Sequence, residues 1–175
     1  MTRRKLLLAS AVALVFGLTT LSVGLGLAAG DDESEGALIK LLGHSKVSLQ
    51  QALVISEREG QPISGKFEVE DGKLQLSIYT AKDATFFEVI VDHMTGDIGK
   101  VEPIAEGEDL EHAKAQKAVM DKAKVTLAAA VAKAKGYGTR LIVVSAVPEL
   151  KDGQPVASVG FLQGEKLATM TEPLN

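Results

Sequence analysis

The stretch Lys66-Phe67-Glu68-Val69-Glu70-Asp71-Gly72-Lys73-Leu74-Gln75-Leu76-Ser77-Ile78-Tyr79 decides the fold. Asp71-Gly72 suits a two-residue hairpin turn, because both residues tolerate positive φ. That turn pairs Val69 with Leu74 and Phe67 with Leu76. A second turn near Lys82-Asp83 is expected to pair Ile78 with Phe87, Leu76 with Val89 and Leu74 with Val91. Strand side chains alternate between faces, so both hairpins must turn the same residues inward. They do: Phe67, Val69, Leu74, Leu76, Ile78, Phe87, Val89 and Val91 form one apolar face. Lys66, Glu68, Glu70, Lys73, Gln75, Ser77 and Glu88 lie on the other.

Upstream, a cover for the apolar face is legible. Leu49, Ala52, Leu53 and Ser56 recur at helical spacing, and Ser48 with Gln51 forms a capping box that satisfies two orphan donors. The helix is expected over Ser48–Glu59, stopped by Gly60 and Pro62. Before it, 30–46 reads as an acidic leader, Asp31–Gly36, and a short apolar helix, Ala37–Leu42. Downstream, Asp92-His93-Met94-Thr95-Gly96 is a polar turn in which Asp92 accepts amides and Gly96 takes a positive φ. From Leu110 to Lys135 the chain is rich in Ala and Lys without Gly or Pro, which predicts one long helix.

The second half repeats the first. Val125-Thr126-Leu127 matches Val47-Ser48-Leu49, and Ala130-Val131 matches Ala52-Leu53, at one constant offset. Strands are expected over Leu141–Val147, Val156–Leu162 and Lys166–Thr171, with a second hairpin at Asp152-Gly153. That hairpin falls later than the offset would place it, which implies an insertion, and the second copy lacks the Asp-x-x-x-Gly ending. The expected fold is α+β: two αβββ units, 47–104 and 109–175, each a helix on its own three-stranded antiparallel sheet, joined through the long helix.

The segment Val47–Ile98 resembles a PepSY domain. The likeness rests on Val47-Ser48-Leu49-Gln50-Gln51-Ala52, on Lys73-Leu74-Gln75-Leu76-Ser77-Ile78-Tyr79, and above all on Phe87-Glu88-Val89-Ile90-Val91-Asp92-His93-Met94-Thr95-Gly96-Asp97-Ile98. The second copy, 125–171, is similar to a degenerate unit of that kind. The resemblance implies no cofactor, no catalytic residues, and a role in restraining peptidases or binding peptides.

The N-terminus reads as an export signal. Basic Arg3, Arg4 and Lys5 precede an uncharged run from Leu6 to Ala29, and Leu27-Ala28-Ala29 offers small residues for cleavage. A cleaved signal over 1–29 and an uncleaved membrane anchor both fit the run, and 2–7 loosely fits a twin-arginine signal. Either topology sends the remainder out of the cytoplasm, to the periplasm or the exterior. The mature part, about 145 residues, carries 16 basic against 23 acidic residues. A chain that acidic, with no basic cluster, is a poor fit to nucleic acid or to an anionic membrane surface. The absence of cysteine excludes disulfides and thiol chemistry.

No catalytic constellation is visible. His44, His93 and His112 are scattered without metal-ligand spacing, no nucleophile elbow surrounds a serine, and Gly136-x-Gly138 is no phosphate loop. Glu68, Glu70 and Asp71 read as a solvated charge run that protects a sheet. One feature violates the sheet pattern: Tyr79, Phe86 and Ile90 fall on the outer face, with Tyr79 and Phe86 expected as direct cross-strand neighbours. Clustered outer apolar groups call for a cover, either an internal element or a partner. The expected function is a non-enzymatic exported binding module for a protein or peptide, a peptidase among the candidates. The alternative is a membrane-anchored structural or regulatory component of an envelope assembly.

Overall fold

The structure, a computed structural model, describes residues 31–138 and 140–175. The segment read as an export signal lies outside the described residues. No helix among the described residues is long and apolar enough to cross a membrane.

Among the described residues, four helices pack with one antiparallel sheet. The helices are α1 (Asp31–Leu42), α2 (Leu49–Ser56), α3 (Gly107–Met120) and α4 (Leu127–Lys135). The strands are β1 (Gln61–Glu70), β2 (Lys73–Lys82), β3 (Thr85–Val91), β4 (Ile98–Pro103), β5 (Leu141–Lys151), β6 (Gln154–Gln163) and β7 (Lys166–Pro173). Their order in the sheet is β4-β3-β2-β1-β5-β6-β7. The two separate sheets expected from the sequence are therefore one. They join where β1 and β5 run antiparallel, with Gly65 opposite Ala146 and Lys66 opposite Ser145.

The local devices form as their chemistry requires. Ser48 accepts the Gln51 amide, and the Gln51 side chain accepts the Ser48 amide, completing the capping box of α2. Asp71 and Asp152 take φ of 49° and 52° in their hairpin turns. Val69 pairs with Leu74 and Phe67 with Leu76, as read from the turn. In the second hairpin the pairing moves by two positions. Ile78 lies opposite Val89 and Thr80 opposite Phe87, because the turn is Asp83-Ala84, with Asp83 at φ 55°. A shift of two keeps every side chain on its face, so Leu76, Ile78, Val89 and Val91 are still buried at 1% exposure or less. Leu49 and Leu53 of α2 close over this face, and β1 meets them with Gly65. A Cβ there would sit 2.7 Å from Ile78 Cδ1 and 3.2 Å from Leu49 Cδ1.

Three further expectations are corrected. The acidic run is helical: α1 spans Asp31–Leu42, so the expected leader and the short apolar helix are one element. A fourth strand, β4, follows the Asp92 turn and pairs with β3. The long helix over 110–135 is two helices. Lys124 and Val125 give their amides to the Leu174 carbonyl, which takes them out of a helical ladder, and Thr126 then caps α4 by accepting the Ala129 amide.

The repeat extends to individual hydrogen bonds. Lys46 and Val47 donate to the His93 carbonyl as Lys124 and Val125 donate to that of Leu174. His44 and Ser45 donate to Leu41 and Leu42 as Lys122 and Ala123 donate to Val119 and Met120. The correspondence thus reaches back to the ends of α1 and α3, where the two sequences share no motif. Helices α2 and α4 pack against each other, and one hydrophobic core runs beneath both.

Candidate functional site

Opposite the face covered by α2, the first half carries a cluster of polar side chains, made neighbours by strand register. Ser77 lies between Lys66 on β1 and Ile90 on β3, and Tyr79 lies between Ser64 on β1 and Glu88 on β3. Ser77 Oγ donates to Glu68 Oε1 at 2.8 Å, and Gln75 Nε2 donates to Ser77 Oγ at 3.0 Å. Lys66 Nζ reaches Glu68 Oε2 at 2.6 Å. Helix α3 approaches the same face: the Ser64 hydroxyl donates to Gln116 Oε1 at 2.7 Å, and Asp109 comes beside Tyr79.

Burial sets the protonation of this cluster. The Glu88 carboxyl is raised above its ordinary value chiefly by burial, with Ser77 hydrogen bonding opposing and the charge of Glu68 adding. The Tyr79 hydroxyl is raised well above its ordinary value by burial first, then by the carboxylates of Glu88, Asp109 and Glu68. Tyr79 is thus a neutral donor at physiological pH and a poor base. The arrangement offers donors and acceptors along a strand face.

The outer apolar trio is not a continuous patch. Tyr79 lies opposite Glu88, not Phe86, which lies opposite Ala81. Phe86 is only 8% exposed, and its carbonyl accepts the amide of Ile104 just before α3. Tyr79 and Ile90 are half-buried, Ile90 opposite Lys100 of β4. In the turn, Asp92 Oδ1 accepts the amides of Met94 at 2.7 Å and Thr95 at 3.0 Å, which holds its carboxyl below the ordinary range. Gly96 sits at φ 83°, its α-carbon facing Ile55 and Val47. No group of three or more His, Asp or Glu poised to hold a metal occurs among the described residues. His112 lies instead along a shallow open depression between α3 and β5, with Val119, Pro148 and Leu150.

Sequence reasoning takes Glu68 as part of a solvated charge run and misses its network. The available signal is that Glu68, Gln75 and Ser77 share one face at adjacent register positions. It also misses Glu172 on β7, which is 2% exposed. Lys133 Nζ comes within 3.2 Å of its Oε2 but off the hydrogen-bonding direction, so that oxygen has no well-directed donor. The Leu174 carbonyl does the work of His93, and aligning those two places Glu172 where the first half has Val91.

Comparison with protein-family models, with curated proteins and with solved structures finds no match.

Proposed function

We propose that the chain is a non-enzymatic exported binding module built of two PepSY-like units whose sheets merge edge to edge. Its ligand is a protein or peptide of the cell envelope, a peptidase among the candidates. The observation that supports this reading is the strand face around Ser77. There Lys66, Glu68, Gln75 and Glu88, all half-buried, set hydrogen-bonding groups around buried Ser77 and beside half-buried Tyr79 and Ile90. Such a mixed surface suits recognition of another chain better than turnover of a small molecule.

The test is capture from the native envelope followed by substitution on this face. Ile90→Arg and Lys66→Gln are expected to weaken capture of the identified partner while the protein still melts in one cooperative transition. Undiminished capture by both variants would remove the face from consideration, and turnover of a substrate by the purified protein would sink the non-enzymatic reading. Intact mass of the native protein beginning near residue 30 is the expected sign of export with cleavage. An intact N-terminus would favour the anchored component.

A further inference from the structure

The two edges of the sheet are unlike. In the first half, the outward main-chain groups of β3 are taken up by the chain itself: Asp92 donates to the Asp97 carbonyl, and Phe86 accepts from Ile104. With Leu174 aligned on His93, the corresponding positions of β7 are 167 to 173, and no strand lies beyond them among the described residues. Leu174 donates to the Pro155 carbonyl across β6, so by strand alternation the groups of Leu167, Thr169 and Thr171 point away from β6. The outer edge β4 is broken by a register shift and carries Gly99, Pro103 and the Lys100–Glu102 ion pair, devices that blunt an edge. β7 pairs with β6 along its whole length without a shift.

The sequence of β7 is complementary to itself when reversed. Turned antiparallel about Thr169, a second β7 sets Leu167 against the partner's Thr171 and Lys166 against the partner's Glu172. The residues whose groups point outward then face one another, which is what an antiparallel ladder requires. Lys166 and Glu172 share one face of β7, the face that carries Met170 opposite buried Val159. Glu172 is the buried carboxylate whose Oε2 lacks a well-directed donor. A cation from the neighbouring strand, directly opposite, would supply one.

We propose that β7 is a homodimerisation edge, at which two copies of this chain pair β7 to β7 about Thr169, joining two seven-stranded sheets into one. The contact is isologous, so it closes at two copies.

The test uses the chain expressed from its full coding length and purified as the cell leaves it, with mass in solution followed against protein concentration. The wild type is expected to reach twice the monomer mass, and added salt to shift that transition to higher concentration. Thr169→Pro removes an outward amide that β6 does not use, and Lys166→Glu places an acid opposite the partner's Glu172. Both are expected to stay monomeric with an unchanged circular dichroism spectrum, and Lys166→Glu carries the test if the proline variant fails to fold. A wild type that remains monomeric at its solubility limit overturns the proposal and leaves Glu172 and Pro173 as guards of a silent edge. A dimer that survives Lys166→Glu overturns it as well.

Discussion

The ends of β3 and β7 perform one task with different means. Each offers a single carbonyl, His93 or Leu174, to two consecutive amides at the start of the helix unit that packs beside it. In the first half that carbonyl sits in the turn from Asp92 to Asp97, where Asp92 accepts two amides and Thr95 Oγ1 accepts that of Asp97. In the second half Leu174 manages without such a turn. Docking the helix therefore does not need the Asp-x-x-x-Gly pattern. What the first half gains from it is the return of the chain as β4.

The contrast between Val91 and Glu172 gives the largest expected effects. Val91→Glu would bury a carboxylate with no cation at hand and should cost about 3 kcal/mol or more. Glu172→Val removes a buried charge whose cation, Lys133, is already in solvent, so the change should be neutral or stabilise by about 1–4 kcal/mol. Denaturant titration of both variants checks the pair, and equal destabilisation would break the correspondence. Next, Gly65→Val should cost about 1–3 kcal/mol, because the added side chain meets Ile78 and Leu49 where the halves join.

Two carboxyls of the first half should respond to pH in opposite directions. The raised carboxyl of Glu88 favours folding while protonated; its contribution is present below its ordinary 4.5 and is lost as pH rises through the folded-state value. Glu88→Gln should therefore raise the melting temperature at neutral pH and flatten its dependence above 4.5. Asp92 works in the other direction. Its depressed carboxyl contributes above the ordinary 3.8, and that contribution is lost as pH falls through the folded-state value. Asp92→Asn should erase the acid-side loss, as melts across that range would record. The smallest effect concerns the caps. Ala129 occupies the place of Gln51, so Ala129→Gln should complete the box at Thr126 and add about 0.5 kcal/mol. Thermal melts that leave it neutral would show that the two caps differ in backbone geometry.

What is legible in the sequence is local. Ser48 with Gln51 fixes one helix start, and Asp71-Gly72 fixes one register, because each is decided by a few neighbouring groups. The turn after Lys82 is ambiguous, since Lys82-Asp83 and Asp83-Ala84 both place an aspartate where positive φ is tolerated, and the structure takes the second. The break before Thr126 follows from the Leu174 carbonyl at the far end of the chain, and nothing in 121–125 except the match to 43–47 betrays it. The joining of β1 to β5 is equally non-local. The polar face is visible as alternating residues, whereas its network needs the register between Glu68 and Ser77.

That joint has a consequence for how the chain reaches its fold. Hairpins β1–β2, β2–β3, β5–β6 and β6–β7 close short loops, whereas pairing Gly65 with Ala146 closes a loop that holds most of one half and both α3 and α4. Closing so long a loop costs more entropy than any hairpin, and contacts so distant in sequence slow folding. Each half can assemble its strands early and wait on the meeting of β1 with β5, so substitutions at Gly65 or Ala146 should slow folding more than those at the hairpin turns.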